Sequence, residues 1–431
     1  IPRARYSHAA FLADTRFGKS VAAMRMAYET TLRWRMRTIV LDFGAGWRAL
    51  LNAPGLEGRV DLYQLWPGAV RPLRWNPLQV GRLINPETQW RAFCDVFGAV
   101  ARLGVRRQIG ELRDALRRVY LSAGVLVDDP DVRADPVWGR VRDEEADVAA
   151  PGTPLGDLPP EARQELAVRR SRRVGLADLY AALEERLRAV PPRDTMLRGV
   201  IEGILYRLHP LVQGAAAAQY APGEDTLSVE DLGRPWGVVI LEGGAFMDEF
   251  SKAFLLAWSA WRIYTDAVIR RIRRAAPPDE ILQIFFEEAN KVLGGVEAGG
   301  EEDGGGAAYV SEQFAHMWRD SRKYGVWLHV ISQSPARLPP GIFSSCANLF
   351  AVQLKDPRDR DMVVAAIARS EKGFRDEEWR RLLARLPVGT ALVRLGYAAD
   401  IAELEPMLVR PLMLAVPEPT DEEILKRLGG R

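Results

Sequence analysis

Cysteine is nearly absent from this chain: Cys94 and Cys346 are the only two in 431 residues. Two thiols so far apart in sequence offer neither a metal-ligand spacing nor a disulfide framework. They fit a reducing cytoplasm and read as small buried hydrophobes. Histidine is scarce as well, and the four present (His8, His209, His316, His329) show no mutual zinc spacing. His8 reads as a packing or capping residue. No apolar run approaches the roughly 20 residues that a membrane-spanning helix needs. An excess of one charge is also missing, because 59 basic and 57 acidic side chains leave a net charge of +2. That balance excludes global attraction to nucleic acid, so any such contact must come from a local patch. Lysine occurs only seven times; the arginine that replaces it suits phosphate recognition and equally reflects a compositional bias.

What is present begins with length. A chain of 431 residues exceeds what one hydrophobic core usually serves, which predicts a large α/β domain with a second lobe or insertion. It starts at Ile1 rather than Met and meets its first motif within thirteen residues, so the expectation is a piece of a longer protein. Apolar runs at 9–12, 38–42, 236–242, 281–286, 326–332 and 349–354 read as strands, with helical stretches at 21–27 and 247–273 and a further helix at 310–323. Strands alternating with helices predict a mainly parallel, doubly wound sheet. Between 85 and 214 strand-like runs disappear, and helical periodicity dominates at 88–103, 109–123, 175–189 and 195–208. The stretch 128–160 reads as an irregular excursion, and 294–306 as a glycine-rich flexible loop. The expected division is therefore an α/β core in two parts, 1–84 and 215–410, an all-helical insertion at 85–214, and a C-terminal tail at 411–431.

The strongest motif is Ala13-Asp14-Thr15-Arg16-Phe17-Gly18-Lys19-Ser20. Strand, tight turn, Gly-Lys-Ser and helix form the arrangement that cradles a nucleoside triphosphate. Backbone N–H groups face the phosphates, Lys19 reaches the β and γ oxygens, and the Ser20 hydroxyl can ligand Mg²⁺. Ala13 stands where glycine is usual, and Arg16 and Phe17 are bulkier than is common. A second motif, Ile284-Phe285-Phe286-Glu287-Glu288, ends an apolar strand in two acids at the edge where parallel sheets bind ligands. Glu287 would hold Mg²⁺ and Glu288 would polarise the attacking water. A third, Ser332-Gln333-Ser334-Pro335, puts an amide at the next strand tip, where Gln333 can sense the γ-phosphate.

Together with Trp318-Arg319-Asp320-Ser321-Arg322-Lys323-Tyr324-Gly325, Glu287-Glu288-Ala289-Asn290 and Asn76-Pro77-Leu78, these motifs resemble the HerA/FtsK superfamily of motor ATPases. The nearest branch is that of the conjugative and type IV secretion ATPases. The resemblance covers about 1–80 and 236–400 and implies a RecA-like P-loop NTPase fold. It implies ATP and Mg²⁺ as ligands, and Arg322 or Arg319 as an arginine finger acting on a neighbouring subunit. It further implies a homo-oligomer, expected as a hexamer, working on DNA or with proteins of a secretion complex, in the cytoplasm or at the cytoplasmic face of a membrane complex. The activity expected is ATP hydrolysis coupled to translocation of DNA or secreted protein. The departures at Ala13, Arg16 and Phe17 motivate an alternative, a non-hydrolysing nucleotide-binding assembly component. The clusters Arg270–Arg274 and Arg169–Arg173 admit either DNA phosphate contact or the favoured placement of cations at helix C-termini. Trp258, Trp261 and Tyr264 fall at helical spacing and read as core or interface.

Overall fold

The computed structural model describes residues 6–14, 17–103, 106–223, 226–245, 247–277, 279–293, 314–367, 376–396 and 406–428. Nine strands form one sheet in the order β3-β4-β2-β5-β6-β1-β7-β8-β9. They are β1 (Ala9–Leu12), β2 (Arg37–Asp42), β3 (Val60–Gln64), β4 (Gly237–Glu242), β5 (Leu282–Phe286), β6 (Val326–Ser332), β7 (Asn348–Ala351), β8 (Ala391–Arg394) and β9 (Met407–Val409). From β3 to β7 every pairing is parallel, and β8 and β9 add antiparallel at one end. The mainly parallel, doubly wound α/β sheet expected from the alternation is therefore the observed one.

The central strands are buried on both faces, which is why they read as continuous apolar runs. Their pleat divides two cores. Ala10, Leu12, Ile39, Leu41, Leu241, Ile284 and Phe286 face one cluster. Ala9, Phe11, Val40, Ile240 and Phe285 face the other, which includes Ala23 and Ala27 of helix α1 (Lys19–Trp34).

The sequence reading missed β3, β8 and β9. In β3 alternate residues are only half-buried, so this edge strand lacks the unbroken apolar signature of the centre. The strands β8 and β9 are four and three residues long, too short for periodicity to register.

Between β3 and β4 the described residues contain no named strand. Helices α2 (Pro86–Val100) and α3 (Arg106–Ser122) lead, and helices at Pro160–Ser171, Leu176–Ala189 and Thr195–Val212 follow. Asn85 caps α2 by accepting from the N–H groups of Glu87 and Thr88, with Pro86 in the first turn. The apolar face of this block is continuous with the core under the sheet: Phe93 and Phe97 of α2 meet Phe254 edge-on. Arg170 is fully buried and closes on Glu145 through Nε at 2.8 Å and Nη2 at 2.9 Å. The stretch 128–160, read as irregular, contains short helical turns around this pair.

Helix Glu249–Ile272 matches the long helix expected at 247–273. Residues 314–320 are helical, as expected, while the 294–306 loop, Thr15 and Arg16 lie outside the described residues. The segment expected as a tail contains a helix, Asp421–Leu428, whose Ile424 and Leu428 are buried against the α1 side of the sheet. No described helix is long and apolar enough to cross a membrane.

Candidate active site

Parallel pairing brings the C-terminal ends of the strands to one edge. Leu12 lies opposite Ser332, Leu41 opposite Phe286, and Asp42 opposite Glu242. The chain therefore leaves the sheet at Ala13, Gly243, Glu287 and Gln333 on the same side, where open α/β sheets place ligands.

The 13–20 loop is moored at its start. Ala13 N–H donates to the Ser332 carbonyl at 3.3 Å, and Asp14 N–H donates to Gln353 O at 3.0 Å. The Asp14 carboxylate accepts from Lys355 N–H at 2.9 Å. Ala13 is buried in a small apolar cluster with Val352, Val393 and Leu395, against which Phe17 packs. That contact accounts for a bulky residue inside the loop: its ring is an anchor into the β7–β8 surface. Gly18 has φ +95°, and a Cβ there would meet nothing within 4 Å. Its requirement for glycine is thus conformational rather than steric. Lys19 and Ser20 then open α1 at Gly18, which makes no side-chain cap, and the N–H groups of a helix's first turn have no intrahelical acceptor.

Across 267 residues of sequence, Ser20 Oγ donates to Glu287 Oε1 at 2.8 Å. Lys19 Nζ stands 3.4 Å from Glu288 Oε1, and Gln333 Nε2 donates to the same oxygen at 2.5 Å. Five of the expected site residues are thereby drawn into one group. Lys19 and Glu287 are both 8% exposed, so their charges act with little screening by water. Burial raises the Glu287 carboxyl above its usual range, opposed by the hydrogen bonds from Ser20 and Trp47. Glu288 takes φ +48°, ψ +50° at the start of the short helix Ala289–Val292. This left-handed conformation costs a non-glycine residue about 1–3 kcal/mol. It turns the second acid back toward Lys19 instead of continuing the strand.

Two residues of the site carry no motif signal: Asp42 and Trp47. Asp42 is fully buried at the end of β2, and its oxygens accept from Gly44 N–H at 3.0 Å and Trp47 N–H at 3.2 Å. Burial, with Glu287 and Glu242 nearby, pushes its carboxyl up to about 8. Trp47 is also fully buried and donates its indole N–H to Glu287 Oε2 at 3.1 Å. A strand ending in an acid was visible at Asp42, but its closeness to Glu287 depends on β2 lying beside β5.

Arg319 and Arg322 are not brought to this group. Both are exposed and lie before the N-terminal end of β6, a seven-residue strand. At about 3.3 Å per residue they stand on the order of 20 Å from Gln333 along that strand. Arg319 Nη2 lies 2.9 Å from His316 Nδ1, and the Arg322 guanidinium sits over the Trp327 ring at 5.5 Å. The two basic clusters are largely engaged within the chain. Arg169 pairs with Asp147, Arg173 with Glu144, and Arg270 with Glu280. Trp258 is fully buried, donates to Pro77 O at 2.9 Å and stacks on Trp261, a core role. His8 packs, as expected: its Nδ1 accepts from Leu328 N–H at 3.0 Å.

Among the described residues no cluster of three or more His, Cys, Asp or Glu forms a metal centre. Ser20 and Glu287 supply two hard oxygen donors, the partial protein set that suits Mg²⁺ when phosphates and water complete the shell.

No family model matches the sequence, and no curated protein matches it. Solved structures do. VirB4 of Thermoanaerobacter pseudethanolicus superposes with a TM-score of 0.59 at 15% identity, covering 93% of this chain and 89% of that one. The bacterial conjugative coupling protein TrwBΔN70, in an unbound form, gives 0.57 at 16% identity over 97% of this chain and 88% of its own. TrwB in complex with the non-hydrolysable ATP analogue ADPNP gives 0.54 at 16% identity, over 96% and 88%. Identities this low speak for architecture alone, and the architecture agrees with the branch that the motifs resemble. The chain carries the RecA-like P-loop NTPase fold in the form seen in VirB4 and in the conjugative coupling protein TrwB.

Proposed function

We propose that this chain is a Mg²⁺-dependent ATPase motor of the conjugative and type IV secretion type, which couples hydrolysis to moving DNA or secreted protein. The observation that carries the reading is the convergence of Ser20 with Glu287 at 2.8 Å and of Lys19 with Glu288 at 3.4 Å. In this reading the phosphate loop 13–20 and Lys19 bind the nucleotide, while Ser20 and Glu287 hold Mg²⁺. When bound, Mg²⁺ neutralises charge on the phosphate oxygens. Glu288 takes a proton from the attacking water, and Gln333, hydrogen-bonded to Glu288, sets that carboxylate's direction and senses the γ-phosphate. An arginine, Arg322 or Arg319, completes a neighbour's site and neutralises the transferring phosphoryl group. The exposed position of both arginines, away from their own phosphate loop, supports a role in trans.

The same reading makes the protein a ring, a hexamer, at work in the cytoplasm or on the cytoplasmic face of a membrane complex. It assigns 1–84 and 215–410 to the motor core, 85–214 to a helical subdomain, and 411–431 to a C-terminal segment. Its test is ATP turnover of the purified oligomer beside Lys19→Ala and Glu288→Gln, with and without double-stranded DNA at two salt concentrations. Turnover lost in both variants supports the motor, and salt-sensitive stimulation by DNA identifies the polymer. Equal background rates in all three proteins would leave a nucleotide-binding assembly component.

A further inference from the structure

We propose that Trp47 is a positioning residue for the metal-side acid: its indole N–H orients the Glu287 carboxylate so that Oε1 stays with Ser20. The inference rests on the reading of Ser20 and Glu287 as the Mg²⁺ side of the site.

The two oxygens of Glu287 are divided between two donors, Ser20 Oγ on Oε1 at 2.8 Å and Trp47 Nε1 on Oε2 at 3.1 Å. A carboxylate held at one oxygen can still swing about its terminal torsion, which is broad for glutamate. Held at both, it presents a fixed lone pair. The donor is fixed in turn. Trp47 is fully buried, packs against Phe285 with ring centroids 5.5 Å apart, and has its backbone N–H tied to the Asp42 carboxylate. Glu287 N–H donates to Leu41 O at 3.0 Å, so donor and acceptor hang from the neighbouring strands β2 and β5.

The support reaches further out. Trp47 precedes the turn Arg48–Asn52, and the C-terminal helix Asp421–Leu428 lies against that turn. Arg48 bonds Asp421 at 2.8 Å, Asn52 Nδ2 donates to Pro417 O at 2.6 Å, and Arg427 Nη1 donates to Leu51 O at 3.0 Å. The indole is therefore held by packing that is independent of the phosphate loop.

The test is Mn²⁺ uptake by the full chain in the presence of ADP, read from the electron paramagnetic resonance signal of free Mn²⁺. Trp47→Phe keeps an aromatic ring, smaller than the indole, and removes the donor. It is expected to weaken Mn²⁺ uptake about tenfold, the scale of one lost hydrogen bond to a buried charge, with metal-free ADP affinity unchanged. In Glu287→Gln, adding Trp47→Phe is expected to cost nothing more, because the indole acts through the carboxylate. Unchanged Mn²⁺ uptake in Trp47→Phe, or a full additional loss in the double variant, overturns the proposal. Should Trp47→Phe fail to fold, benzothienylalanine at position 47, with sulfur in place of the N–H, makes the same comparison. Wild-type protein that takes up no Mn²⁺ with ADP overturns the metal-side reading, and this inference with it.

Discussion

Gln333 Nε2 donates to Glu288 Oε1 at 2.5 Å from the tip of the neighbouring strand. In the proposed reading the bond joins the γ-phosphate sensor to the acid that activates water. The turn behind Gln333 is fixed by Asp359, whose Oδ1 accepts from Ser334 Oγ at 3.1 Å and Ala336 N–H at 2.9 Å. Glu288→Gln removes the proposed base and leaves its shape. It is expected to lower ATP turnover about 10²-fold or more, with nucleotide affinity within about twofold of wild type. Gln333→Ala should fall between the two. Steady-state turnover and titration with a fluorescent ADP separate these effects.

Gly18 carries φ +95°, a backbone that alanine adopts only with strain. Gly18→Ala is expected to destabilise the fold by about 1 kcal/mol and to weaken nucleotide binding by more than that strain alone explains. The loop N–H groups must turn away for the backbone to relax. Urea unfolding beside nucleotide titration checks the difference; an affinity equal to wild type would contradict this account of the loop.

His8 is buried and neutral, its imidazole lowered to about 4 by burial first and by the Arg322 charge second. In the unfolded chain it titrates near its usual 6.5. Between those values the unfolded state binds more protons, so the contribution of His8 to stability is complete above pH 6.5 and is lost as pH falls toward 4. The cost of His8→Asn should therefore shrink on acidification, at most about 1.4 kcal/mol per pH unit. Urea melts of both proteins from pH 7 to 4.5 measure it, and a cost constant with pH would refute it.

The C-terminal helix holds by its apolar face rather than by its charges. Ile424 is fully buried in the same apolar cluster as Trp47 and Leu50, and Ile424→Ala is expected to cost about 2–4 kcal/mol. Asp421 is 60% exposed in its pair with Arg48, and Asp421→Asn should cost under about 1 kcal/mol. Denaturant midpoints rank the two, and a reversed ranking would show that the ion pair holds the helix.

A finger in trans is tested by mixing. Arg322→Ala keeps its own acids and Glu288→Gln keeps its own arginine. Mixed oligomers are expected to turn over ATP faster than either variant alone. Additive rates at every mixing ratio would remove Arg322 from the role, and Arg319→Ala repeats the test for the other candidate.

The motifs 13–20, 287–288 and 333 were legible because each lies where an unbroken apolar strand stops. Strand ends in a parallel sheet share one edge whatever the loops do, so the sheet and its site side could be read from periodicity. The edge strands β3, β8 and β9 could not be read that way, being half-exposed or very short.

By itself the sequence determined that three strands end in chemistry-bearing residues and that Gly-Lys-Ser opens a helix, since apolar periodicity and turn chemistry are local properties. Only the tertiary structure decided who meets whom. The order of strands set β6 between β1 and β5, which brought Gln333 to Glu288 and Ser20 to Glu287. The left-handed backbone at Glu288, the Phe17 anchor and the Trp47 bond to Glu287 arise from contacts between segments far apart in the chain. Such contacts follow from the packing of the whole sheet and leave no periodic trace in the residues that make them.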